Sequence, residues 1–190
     1  MTKPPRLAAI GIAALTGLFA STASAQTSGE VSPRFVDGDL YGCQYTFATL
    51  LNDTTYSRGE QVQANGSVSL MINEGSGARL LIWVVKLGIG DIGLQPDEPI
   101  SSIYLTSGYQ TNLDDAFLFD QSDTPGFYMA GFFFEEASLA AFTKLAEQSL
   151  FTVGYTIGDG KTGQTFDLAL KQDEKNQYFD CVGALLEELN

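Results

Sequence analysis

The stretch Ser67-Val68-Ser69-Leu70-Met71-Ile72-Asn73-Glu74-Gly75-Ser76-Gly77-Ala78-Arg79-Leu80-Leu81-Ile82-Trp83-Val84-Val85-Lys86-Leu87 decides the fold class. Val68, Leu70 and Ile72 alternate with Ser67, Ser69 and Asn73, which places apolar and polar rows on opposite faces of an extended chain. Glu74-Gly75-Ser76-Gly77 has the small, turn-prone composition that reverses a chain. Beyond it, Arg79–Leu87 is rich in β-branched and aromatic residues and has the length of a central strand. Together the two segments predict an antiparallel hairpin.

The same reasoning extends towards the C-terminus. Strands are predicted over Ser102–Thr106, Ala116–Phe119 and Phe127–Phe134, with Gln121-Ser122-Asp123-Thr124-Pro125-Gly126 as a turn between the last two. From Glu135 to Gln148 the period changes, and Leu139, Phe142, Leu145 and Ala146 recur at helical spacing behind two acidic residues that suit a helix N-terminus. Phe151, Val153, Tyr155 and Ile157 alternate again, a glycine-rich turn follows at 158–163, and Phe166, Leu168 and Leu170 form the return strand. Phe179, Val182, Leu186 and Leu189 mark a short amphipathic C-terminal helix, with Cys181 at the edge of its apolar face. Six to eight strands and two short helices predict a mainly β single domain, an antiparallel β-sandwich, with a related α+β domain as the alternative.

The other end of the chain reads as an export signal. Lys3 and Arg6 precede an uncharged, apolar run from Leu7 to Ala20, and Ala23-Ser24-Ala25 gives the small-x-small pattern of a cleavage site between Ala25 and Gln26. The apolar run is shorter than the about 20 residues that a membrane-spanning helix needs. Residues 1–25 are therefore expected to be a signal peptide, 26–34 a flexible segment, and 35–190 one β-rich domain. Removing the leader takes away Lys3 and Arg6 and no carboxylate, so the formal charge moves from −13 to −15. Such a body repels phosphate backbones and anionic lipid surfaces, which argues against nucleic-acid partners and membrane-surface binding. No later apolar run, the longest being Leu80 to Val85, is long enough for membrane insertion after processing. The expected location is the periplasm, or the medium outside the cell.

Cys43 and Cys181 are the only two cysteines. In an oxidising compartment an even pair without CxxC spacing reads as one structural disulfide, the alternatives being intermolecular pairing or free thiols. With no histidine in the chain, two distant thiols do not make a zinc site.

Two regions carry a resemblance. Near the start stands Asp37-Gly38-Asp39-Leu40-Tyr41-Gly42-Cys43; in the closing third, Leu145 to Val153 is followed by a glycine turn, the strand Phe166-Asp167-Leu168-Ala169-Leu170-Lys171 and an apolar final helix. This pattern resembles the invasion-associated locus B type of small periplasmic proteins of alphaproteobacteria. Leu40 stands where that family's tryptophan is expected, and the family's further cysteines are missing. The resemblance implies an exported, β-sandwich-like protein and carries over no catalytic residue.

Gly88-Ile89-Gly90-Asp91-Ile92-Gly93 matches the GxGxxG fingerprint after a strand, but Leu94-Gln95-Pro96-Asp97-Glu98-Pro99 offers no helix to receive a pyrophosphate, so a loop is expected and no cofactor. The absence of histidine removes the common triads and Cys–His dyads. Carboxylates remain: Asp114, Asp115, Glu135 and Glu136 lie near aromatics and are the best placed for a glycosidase pair. Asp114, Asp115, Asp120 and Asp123, with Asn112, are candidate calcium ligands, although they lack the EF-hand pattern and solvated turn carboxylates explain them as well. Phe132, Phe133 and Phe134 are consecutive, so either both faces of their strand are covered or some aromatic surface is exposed. No catalytic residue is assigned. The expectation is a non-enzymatic exported protein that binds a protein or envelope component, with a carboxylate-based envelope hydrolase or a small-ligand carrier as alternatives.

Overall fold

The computed structural model describes residues 27–53, 60–74, 79–90, 99–106, 116–134, 136–158 and 163–189. The expected leader over residues 1–25, the Ala25–Gln26 junction, residues 91–93 of the glycine motif, Asn112, Asp114, Asp115 and Glu135 lie outside the described residues. Two antiparallel sheets pack together. Strands β1 (Ser28–Val36), β2 (Asp39–Asp53), β3 (Glu60–Asn73), β4 (Leu80–Gly90), β6 (Ala116–Gln121) and β7 (Tyr128–Phe133) form a six-stranded sheet in the order β1-β2-β3-β4-β7-β6. Strands β5 (Ile100–Thr106), β8 (Leu150–Ile157) and β9 (Gln164–Ala169) form the smaller sheet in the order β5-β8-β9. Helix α1 (Glu136–Gln148) packs on β8 and β5, and α2 (Gln172–Glu188) packs on β2 and β1. This is a mainly β, sandwich-like domain, as the alternation predicts.

The hairpin predicted over Ser67–Leu87 is β3–β4, with Val68 opposite Val85 and Leu70 opposite Trp83. Between the sheets, Phe151 of β8 is the meeting point. Its ring lies 6.2 Å from Tyr45 of β2, 5.8 Å from Trp83 of β4 and 5.6 Å from Tyr178 of α2. Trp83 also meets Phe142 of α1 at 6.5 Å and Phe134 at 6.3 Å, so aromatic contacts join both sheets to both helices. All of β8 except its first residue is buried, because the large sheet covers one face and α1 the other.

Several expectations need correction. The polar segment 26–34 reads as flexible in sequence, yet Ser28 to Val36 pairs with β2 as an edge strand. Pro33 is tolerated there because an edge strand has only one neighbour to satisfy. Asp37 and Gly38 both take positive φ, 54° and 99°, making the two-residue turn that joins β1 to β2. Nine strands are described, against six to eight expected, because β1 and β2 were not recognised. Gly88 to Gly90 does not form a loop but continues β4, opposite Asn65, Ala64 and Gln63. The C-terminal helix is 17 residues long and not short. Its buried face runs through Glu174, Tyr178, Val182 and Leu185, which leaves Leu186 exposed.

Polar contacts finish the helices. Glu174 Oε2 accepts the Lys171 backbone N–H at 2.8 Å at the start of α2. Lys175 Nζ donates to the Ala146 carbonyl at 2.5 Å, putting a cation at the C-terminal end of α1 where the dipole favours one. Arg79 Nη1 donates to the Glu188 carbonyl and ties the start of β4 to the end of α2. Ser149, at a φ of 59°, ends α1 in the left-handed conformation and donates its N–H to the Leu145 carbonyl at 2.9 Å.

Cys43 and Cys181 are bonded, with their Cα atoms 5.9 Å apart, joining β2 to α2 across 138 residues of chain. In the chain-entropy model a loop of that size is worth about 5 kcal/mol. The Cys43→Ala, Cys181→Ala double variant is expected to lose about 3–5 kcal/mol in urea unfolding. A loss within error of zero would show that the bond constrains nothing.

Burial pushes the Tyr45 phenol up to about 12, with the Glu174 carboxylate adding to the shift, and burial also raises Tyr178. A raised phenol favours folding below the ordinary tyrosine value of about 10 and loses that contribution as pH climbs through the folded value. Stability should therefore fall from about pH 10 towards about 12. The Tyr45 hydroxyl has no hydrogen-bond partner among the described residues. Tyr45→Phe is accordingly expected to leave neutral-pH stability unchanged or slightly higher and to move alkaline unfolding upward. An unchanged alkaline midpoint would remove Tyr45 from that transition.

Candidate functional site

The large sheet has an inner face against the core and an outer face whose composition follows from strand register. On β2, Cys43, Tyr45, Phe47 and Leu51 point inward, so Gln44, Thr46 and Ala48 point outward. Pairing then places Glu30, Thr46, Ser67, Lys86, Met129 and Asp120 in one row across the sheet. The neighbouring row runs Ser28, Ala48, Asn65 and Gly88. An open groove of 610 Å³ lies over these rows, walled by Ser28 and Glu30 at one end and by Lys86 and Phe127 at the other.

Lys86 is held from several sides. Its ammonium donates to Thr124 Oγ1 at 2.8 Å, lies 3.8 Å from the Asp123 carboxylate and sits 5.4 Å from the centroid of the Phe127 ring. Phe127 in turn lies against Gly88, where an added Cβ would stand 3.0 Å from three ring atoms. Asn65 Oδ1 accepts from Gln63 Nε2 at 3.0 Å, which fixes the amide at the groove. Gly66 sits in the floor because β3 and β4 approach closely there: a Cβ would stand 2.0 Å from the Lys86 carbonyl oxygen.

Towards β6 the outer face turns apolar. Met71, Ile82 and Phe133 share a row; Leu118 and Val84 occupy the next, on either side of Gly131. Ile82 is buried yet does not belong to the inter-sheet core, while Leu80, Leu118 and Phe133 are 41%, 40% and 39% exposed. The three consecutive phenylalanines therefore divide: Phe132 faces the core, Phe133 faces outward, and Phe134 stacks on Trp83 just beyond the strand.

The residues singled out by sequence are placed as follows. Asp120 is exposed on β6 and its Oδ1 accepts the Gln121 N–H at 2.7 Å, while Asp123, 98% exposed, faces Lys86. Glu136 begins α1. Among the described residues no three His, Cys, Asp or Glu come together in a group that could hold a metal ion. A second polar cluster lies on the small sheet: Lys144 of α1 donates to Thr152, Thr152 donates to Asp167, and the Lys144–Asp167 distance is 3.4 Å. The lysine charge is matched by the carboxylate, and the three side chains clamp α1 to β8 and β9. Sequence reasoning missed Gln44, Thr46, Asn65, Lys86 and Phe127 as neighbours because β2 was not recognised. The turn pair Asp37-Gly38 and the alternation from Cys43 to Leu51 carried the missing signal.

The chain matches no family model, no curated protein and no solved structure. Among the described residues no helix is long and apolar enough to cross a membrane.

Two glycines separate the groove's requirement from general helix effects. Gly66→Ala must push two strands apart and is expected to cost about 2 kcal/mol or more. Gly183, on the exposed side of α2, has nothing within 4 Å of an added Cβ. Gly183→Ala should instead stabilise by about 0.5–1 kcal/mol through helix propensity. Urea unfolding of both variants checks the pair; equal effects would contradict the close approach at Gly66.

Proposed function

We propose that this is an exported, non-enzymatic protein of the periplasm that binds a protein or cell-envelope component through the outer face of its large sheet. The observation that carries this reading is the apolar patch of Leu80, Leu118 and Phe133 around Ile82. The uncovered face of an antiparallel sheet is ordinarily polar, and a contiguous apolar patch on it favours a recognition surface. The leader-like first 25 residues and the Cys43–Cys181 bond both support an oxidising location. The resemblance to the invasion-associated locus B proteins supports the same address, and under this proposal the chain is a relative of that group.

The test is saturable binding of the mature chain, residues 26–190, to bacterial envelope fractions. Leu118→Ser combined with Phe133→Ser is expected to weaken that binding by about tenfold or more, since central apolar contacts dominate interfaces. Circular dichroism and melting should be unchanged, and Leu80→Ser serves as a second variant if the pair perturbs folding. Binding that is equally strong in the variants, or absent in the parent chain, overturns the proposal.

A further inference from the structure

The groove beside the apolar patch is built from a different chemistry. Its 610 Å³ lies within the span of ligand sites, about 300–1,000 Å³. Gln44, Thr46, Asn65 and Ser67 supply amide and hydroxyl groups, which both donate and accept hydrogen bonds. The two charged side chains of the lining, Glu30 and Lys86, have opposite sign, share one row and stand at the two ends of the groove. Three strand spacings separate them, about 14 Å along the sheet.

The lining is therefore formally neutral on a chain whose formal charge is −13. A polyanion meets a single cation there, and that ammonium is already engaged by Thr124, Asp123 and the Phe127 ring. An extended peptide gains nothing from main-chain pairing at the floor, because β2 and β3 are interior strands bonded on both sides. Recognition has to come from side chains, and it suits a ligand that presents its own dense array of uncharged hydroxyls.

We propose that this groove binds a neutral oligosaccharide, with sugar hydroxyls bonded to Gln44, Thr46, Asn65 and Ser67 and the half-buried Phe127 ring as an apolar contact at one end. The assignment rests on the envelope-binding role proposed above and names the class of component recognised.

The experiment is a nuclear magnetic resonance titration of the isotope-labelled mature protein. The probes are tetrasaccharides of glucose, of galactose and of N-acetylglucosamine, with polyphosphate and an unstructured uncharged peptide as further arms. Saturable shifts confined to β1–β4 outer-face residues with at least one tetrasaccharide are the expected result. Gln44→Ala combined with Asn65→Ala should then weaken binding by about tenfold, as two lost hydrogen bonds predict, at unchanged melting temperature. Thr46→Ala provides the same readout if the pair unfolds. No shift with any tetrasaccharide, shifts elsewhere on the molecule, unchanged affinity in the variants, or a preference for polyphosphate or peptide each overturns the assignment. If the sugars fail while envelope binding still depends on Leu118 and Phe133, the glycan assignment falls and the binding role stands.

Discussion

The contact of Phe151 with Trp83 is the constraint on which the rest of the molecule depends. It is where the small sheet meets the large one, and Tyr45 and Tyr178 close around the same ring from β2 and α2. The small sheet has only three strands, too few to bury both of its own faces. By burying Phe151, Val153 and Tyr155 between the sheets, it fixes which face of every strand in the large sheet is inner. The outer face, with its groove and its apolar row, follows from that choice.

Much of this was legible in sequence, for a physical reason. β4, β9 and helix α1 alternate covered and more exposed positions, and β8, covered on both faces, still alternates large apolar residues with Thr and Gly, so their periodicity is written into residue type. β1 was not legible because it lies at an edge: Ser28, Glu30, Ser32 and Pro33 resemble a polar leader, and only pairing with β2 reveals the strand. β2 itself was readable from Cys43, Tyr45, Phe47 and Leu51, and from the Asp37-Gly38 turn that introduces it. The buried face of α2 runs through Glu174, which reads as a surface residue in sequence but is covered where its carboxylate caps the helix, and through Tyr178 one turn further on.

The groove shows where single-strand reasoning stops. Gln44, Thr46, Asn65, Ser67 and Lys86 come from three strands, and each alone reads as an ordinary solvent-facing residue. Register is what brings them together, and register depends on which strands are neighbours. The glycine fingerprint illustrates the converse: of a motif conspicuous in sequence, Gly88 lies within β4 and makes room for the Phe127 ring.

The bond between Cys43 and Cys181 makes most of the described domain a single covalent ring, closed by one of the last helical turns. The two thiols are 138 residues apart in sequence, so the bond can close only once α2 has packed on β2. Without α2, Cys43 has no intramolecular partner, because Cys181 is the only other cysteine. Ring closure thus makes the covalent state of the chain a record of its packing: the bond can be present only where β2 and α2 have met.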